Sequence, residues 1–158
     1  MKGEQLSRML VLATNRHDGQ FDKGGNPYIL HPLKVMHYLK TDDEELMCIA
    51  LGHDLVEDTF KRVADGVGTL RYNGFSERVI AGIVALTKVD GEAYDDYKSR
   101  VKANPDAVKV KMSDLRHNSD IRRLKGVRPK DVERIAEYHR FYLELQHLEA
   151  PNAGGNAT

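Results

Sequence analysis

Within the eight residues GHDLVEDT (52–59) stand one histidine and three carboxylates, His53, Asp54, Glu57 and Asp58, in an otherwise largely apolar stretch. On a helix they pair at i and i+4, His53 with Glu57 and Asp54 with Asp58, so the four polar groups share one broad face. Burying that many charges without compensation is costly. A divalent ion with bound water supplies the countercharge and gives Glu57 and Asp58 a task, to orient or deprotonate the water. Two more residues of ligand type stand in mixed polar and apolar settings, His31 in YILHP (28–32) and Asp114 in VKMSDLRHN (110–118). Two imidazoles and two carboxylates completed by water suit Mn²⁺, with Fe²⁺, Co²⁺ and Zn²⁺ also accommodated. Taken one at a time, each of the four is more often a satisfied core or capping group than a ligand.

A second set of residues surrounds this one. Asp114 and Asn118 at i and i+4 place a carboxylate and a neutral amide on one helix face, and Arg134 and Tyr138 repeat the spacing further on. Charge is unevenly spread: residues 42–58 carry seven acids and no Lys or Arg, while residues 98–134 carry twelve Lys/Arg and five acids. An acidic site facing a basic wall fits a cation and a phosphorylated ligand. Arg116, Arg122, Arg134 and Lys88 are candidates for phosphate contact as well as for plain solvation.

Helices must position these groups. Apolar residues recur at helical spacing nearly throughout, and alternating runs are scarce, so the fold class is all-α. The pattern predicts helices near 3–16, 31–40, 43–57, 60–66, 75–86, 92–103, 105–118 and 129–148, with Pro32, Pro105 and Pro129 each near a first turn. GQFDKGGNPY (19–28) reads as a loop, and loops held between helices are where binding groups collect. DGVGTLRYNG (65–74) reads as a second loop with room for one short hairpin. Residues 1–150 form one predicted domain, and PNAGGNAT (151–158) a flexible tail. Cys48, the single cysteine among 158 residues, is expected to be a small buried hydrophobe. No apolar run has the length of a membrane span, the N-terminus does not read as a signal peptide, and the basic segment lacks interleaved aromatics. The expectation is a cytoplasmic protein with a phosphorylated small-molecule partner, engaging neither nucleic acid nor membrane. His37, His117, His139 and His147 read as surface or packing residues, and His17 as structural support.

The order RHDGQ…KGGNPYILHP, ALGHDLVEDT, ALTK and VKMSDLRHNSD resembles the HD-domain hydrolases of the RelA/SpoT group, and in single-domain form the small alarmone hydrolases. The resemblance runs from about Arg16 to Tyr138. It implies an HD-domain helical bundle holding one Mn²⁺ through His31, His53, Asp54 and Asp114, with Glu57 and Asp58 serving the attacking water. It further implies that Lys23 meets phosphate, and that Asn118 and Tyr138 contact the nucleotide. The implied activity removes the 3′-pyrophosphate of (p)ppGpp, leaving GDP or GTP. Two departures stand out: the family's loop Arg-Lys is Asp22-Lys23 here, and its Asp-Arg-Leu-His-Asn is Asp114-Leu115-Arg116-His117-Asn118. A carboxylate at 22 can accept a hydrogen bond from an adenine amine, so activity on (p)ppApp is expected beside the guanosine substrate. The alternatives are an HD phosphohydrolase of another nucleotide and a non-catalytic nucleotide-sensing or antitoxin-like protein. The Glu57-Asp58 pair speaks against the latter.

Overall fold

A computed structural model of the chain describes residues 3–149; the predicted tail lies outside them. The described residues form an all-α bundle: α1 (Glu4–Arg16), α2 (Leu30–Leu39), α3 (Glu44–Gly52), α4 (Leu55–Thr59), α5 (Val63–Tyr72), α6 (Glu77–Leu86), α7 (Tyr94–Lys102), α8 (Pro105–Asn118) and α9 (Pro129–Glu149), with a single 3₁₀ turn at Ile121–Arg123. The starts are written in the sequence. Asp43 accepts from the amides of Glu45 and Leu46, Ser76 from Val79 and Asn104 from Ala107, each satisfying a backbone donor that the first turn leaves open.

Two expectations are corrected. Residues 65–74 are neither loop nor hairpin: most belong to α5, which replaces the expected helix at 60–66, and the Asn73-Gly74 pair ends that helix, with Gly74 at φ 72°. Gly66 serves packing rather than a turn, since a Cβ there would lie 2.8 Å from Val56. The expected helix 43–57 is two helices, broken at His53 and Asp54. Asp54 sits at φ −99°, ψ −6°, in the sparsely populated bridge region. That break leaves His53 buried at the end of one helix and turns Glu57 and Asp58 onto another wall.

α3 is apolar almost all round and lies at the centre, touching α1, α2, α6 and α8. Its approach to α6 is set by two reciprocal pairs. A Cβ on Gly52 would lie 2.6 Å from Ile83 Cδ1, and one on Gly82 would lie 2.6 Å from Ile49 Cδ1. Each helix seats an isoleucine over the other's glycine. Burying one isoleucine side chain contributes roughly 1.5–3 kcal/mol, and here the burial also fixes where α3 ends, one residue before His53.

Candidate active site

Four side chains from three places converge next to that end. His53 Nε2 lies 3.0 Å from Asp54 Oδ2 and 3.7 Å from Asp114 Oδ1, and His31 Nε2 lies 3.4 and 3.1 Å from the same two oxygens. The two Nε2 atoms are 3.2 Å apart. His31 comes from α2, Asp114 from α8, and both histidines and Asp114 are almost fully buried. His31, His53 and Asp54 offer one ligand atom each within 4.8 Å of one another, and Asp114 closes on them from α8.

The ring tautomers fit a cation. His53 Nδ1 lies 2.7 Å from the Ala50 carbonyl, which can only accept. The proton is therefore on Nδ1, and a neutral His53 presents a bare Nε2 to the cluster. His31 Nδ1 lies 2.7 Å from His117 Nδ1. Burial, with the nearby charges of Arg123 and His31, pushes His117 down to about 4, so it is neutral at pH 7. A neutral His117 can accept the His31 Nδ1–H and leave His31 Nε2 bare as well. Two imidazole lone pairs and two carboxylates turned toward one point form a set of acceptors that needs a shared cation.

Without an ion, protons fill that need. Burial opposes charge on His53, but the carboxylates of Asp54 and Asp114 outweigh it and hold the imidazole well above its ordinary value. His31 moves the same way against the same burial cost. Burial likewise opposes ionisation of Asp54 and Asp114; His53, with the hydrogen bonds from both rings, outweighs it for Asp54, as Lys111 and those rings do for Asp114.

Three partners of this cluster escaped the sequence reading. Tyr28 Oη donates to Asp54 Oδ2 at 2.6 Å, and Lys111 Nζ to Asp114 Oδ2 at 2.8 Å. His117 meets His31 edge to edge, nitrogen to nitrogen, with the ring planes 11° apart. Only Lys111, three residues before Asp114 on one helix face, left a local signal.

Glu57 and Asp58 line a cavity of about 340 Å³ with Asp54, Asp114, Asn118 and Tyr138. Glu57 Oε2 accepts from the Lys88 amide at 2.9 Å. Burial, then the charges of Asp54 and Glu57, raise Asp58 to about 6, into the range of a proton acceptor near neutrality.

An adjoining cavity of about 290 Å³ shares Tyr28, Asn118 and Tyr138 and adds Lys23, Arg134 and Arg123. The four expected substrate-binding residues, Lys23, Asn118, Arg134 and Tyr138, all lie on its wall. Burial and the neighbouring Arg134 lower the Lys23 ammonium, and Arg134 is held by Asp131 at 2.9 Å. Asn118 donates to Asp114 Oδ1 at 2.5 Å and accepts from Arg123 at 3.0 Å, so its amide bridges the two cavities. Asp22 is placed differently from the expectation of a free acceptor. Its Oδ1 receives the amides of Gly24 and Asn26 at 2.8 and 2.9 Å and shapes the 19–28 loop. Arg122 pairs with Asp120, which lines the cavity, but is not itself on its wall, and Arg116 lies over the Tyr38 ring. His17 packs beside Tyr28, and His37, His139 and His147 are exposed. No helix of the described residues is long and apolar enough to cross a membrane.

No family model matches the chain. Among curated proteins it is similar to a guanosine-3′,5′-bis(diphosphate) 3′-pyrophosphohydrolase of Haemophilus influenzae, 31% identical over 87% of this chain and 21% of the relative. It is also similar to the bifunctional (p)ppGpp synthase/hydrolase SpoT of Escherichia coli, 30% identical over 91% of this chain and 22% of the relative. A GTP pyrophosphokinase of Streptomyces coelicolor is 33% identical over 90% of this chain and 18% of the relative. The chain spans about a fifth of the length of these relatives. They are of the RelA/SpoT type that the motifs resemble, and the resemblance extends over about nine-tenths of the chain.

Proposed function

We propose that residues 1–150 act as a Mn²⁺-dependent hydrolase domain that removes the 3′-pyrophosphate of (p)ppGpp, releasing GDP or GTP and pyrophosphate. The observation that carries this reading is the convergence of His31, His53, Asp54 and Asp114 beside a cavity walled by Glu57 and Asp58. The names of the similar proteins supply the substrate class.

His31, His53, Asp54 and Asp114 would hold one divalent ion, which when bound supplies Lewis-acid polarisation of phosphate and water. Asp58 takes the proton of the attacking water, and Glu57, fixed by the Lys88 amide, orients that water. Lys111 holds the outer oxygen of Asp114, and Tyr28 donates to Asp54 Oδ2, the same oxygen that faces the two histidines, so both carboxylates stay aimed inward. Lys23 and Arg134 neutralise phosphate charge from the adjoining cavity. Tyr138, on the wall of both cavities, offers a ring against which the nucleoside can lie. The adenosine counterparts, (p)ppApp, are the slower substrates in this reading.

The test is pyrophosphate release from a nucleotide panel with Mn²⁺ added and then chelated. Release of pyrophosphate from ppGpp that stops on chelation is the expected result. Turnover of some other nucleotide alone, or tight nucleotide binding with no turnover, would replace the reading with one of the alternatives.

A further inference from the structure

Arg123 was not among the residues that the motifs singled out, yet it occupies the junction of the adjoining cavity. Its Nη1 donates to the His117 carbonyl at 3.1 Å and to Asn118 Oδ1 at 3.0 Å, both at the end of α8. Its Nη2 reaches Asp22 Oδ2, across the cavity mouth, at 3.4 Å. The guanidinium is thus pinned from two walls. The backbones meet there too, since a Cβ on Gly24 would lie 2.9 Å from the Arg123 carbonyl oxygen.

A guanidinium has five N–H groups in one rigid plane. Three are used by these contacts. The Nε–H and one Nη2 N–H have no acceptor among the described residues, and the side chain lines the cavity. Lys23 and Arg134, by contrast, lie toward the start of α9, where Lys23 also feels Arg128 and Lys130. That side suits phosphates. The Arg123 side, with Asn118 and Asp22 around it and Phe21 and Leu124 as apolar walls, suits a base edge.

We propose that Arg123 is the specificity-determining residue of this pocket and donates both remaining N–H groups to adjacent acceptors on a purine, selecting guanine over adenine. Guanine presents O6 and N7 side by side as two acceptors. Adenine presents N7 beside an amine, which sets donor against donor. Asp22 then acts as the anchor that holds the plane in place before ligand arrives, in keeping with the loop-shaping role of its other oxygen. The inference rests on the nucleotide hydrolysis proposed above.

The experiment measures kcat/KM for ppGpp and ppApp, and calorimetric affinity for GDP and ADP, on the full chain with Mn²⁺. The unaltered protein is compared with Arg123→Met and Arg123→Lys. The expected result is a guanine preference that falls by roughly 10- to 100-fold in Arg123→Met, the loss for the guanine ligands exceeding the loss for the adenine ones by that factor. Arg123→Lys should show the same selective loss, because an ammonium keeps the charge toward Asp22 but lacks the planar pair of donors. It also carries the test if Arg123→Met does not fold. Equal losses for both bases would mean a phosphate contact or a structural clasp, and would overturn the proposal; so would a guanine preference that survives both substitutions. Failure of the hydrolase reading looks different: the unaltered protein itself would release no pyrophosphate from either substrate.

Discussion

The Ala50 carbonyl lies 2.7 Å from His53 Nδ1, one turn back on the same helix. A backbone acceptor therefore sets the tautomer of the residue at the centre of the cluster, and no second side chain has to be kept for that purpose.

Metal binding should release protons. The carboxylates of Asp54 and Asp114 hold His53 and His31 protonated above their ordinary range in the metal-free protein, against the pull of burial. An ion must displace those protons, so its affinity rises with pH. Calorimetry in buffers of different ionisation enthalpy checks this; heats independent of buffer would contradict it. The same shift has a stability consequence. Stabilisation from these raised imidazoles is complete below their unfolded pKa and lost as pH rises through the folded value. With chelator present, melting temperature should fall across that interval, and with Mn²⁺ it should not.

Asp54→Ala should lose both bound metal and activity, because it removes one of few protein donors. Glu57→Gln with Asp58→Asn should keep the metal and slow turnover by about 10² to 10⁴, the range for loss of a general base. Elemental analysis beside single-turnover rates separates the two cases. Full occupancy in Asp54→Ala would reject the ligand assignment, and normal rates in the double variant would reject the base.

Acidification should inhibit through Asp58. Its carboxyl, raised to about 6 in the metal-free chain by burial and by the charges of Asp54 and Glu57, must be ionised to accept a proton. The rate should fall as pH drops below about 6, with the ion's own charge moving the midpoint lower. A profile flat from neutral to well below that point would exclude Asp58 as the acceptor.

Lys111→Met tests the buried cation beside Asp114. Burial opposes its charge, but Asp114 holds it well above the ordinary lysine value. Breaking one side of such a buried pair costs about 3–5 kcal/mol. The loss should show mainly with chelator present, since Mn²⁺ supplies the missing positive charge. Equal drops in melting temperature with and without Mn²⁺ would refute that account.

Lys23→Met should lower kcat/KM by about tenfold at unchanged metal occupancy, since it removes a charge-assisted contact to phosphate. An unchanged kcat/KM would return Lys23 to the solvated surface.

The all-α fold class and most helix boundaries were legible because caps, prolines and apolar spacing are local signals. α5 was hidden by the same kind of signal: Gly66 and Gly68 read as breakers, whereas Gly66 is small because Val56 crosses it. At the candidate site the groups that converge are those with recognisable neighbours in sequence, such as His31 before Pro32 and Asp54 after His53. Tyr28, His117 and Arg123 act through partners 26, 86 and 101 residues away. Spacing along the chain holds no trace of such pairings. Asp22 shows the converse limit: its residue type was plain, but its oxygens were already engaged within its own loop.

Gly52 and Gly82 touch no ligand and donate nothing to the cluster. Their reciprocal seating under Ile83 and Ile49 nonetheless sets the depth at which α3 rests on α6. A side chain on either would lift the helix by a fraction of an ångström, and His53, one residue beyond Gly52, would travel with it. Their place in the mechanism is that of a surveyor's benchmark, a blank point from which the reactive position is measured. A tolerance map of this chain would thus rank two featureless residues alongside those that do the chemistry.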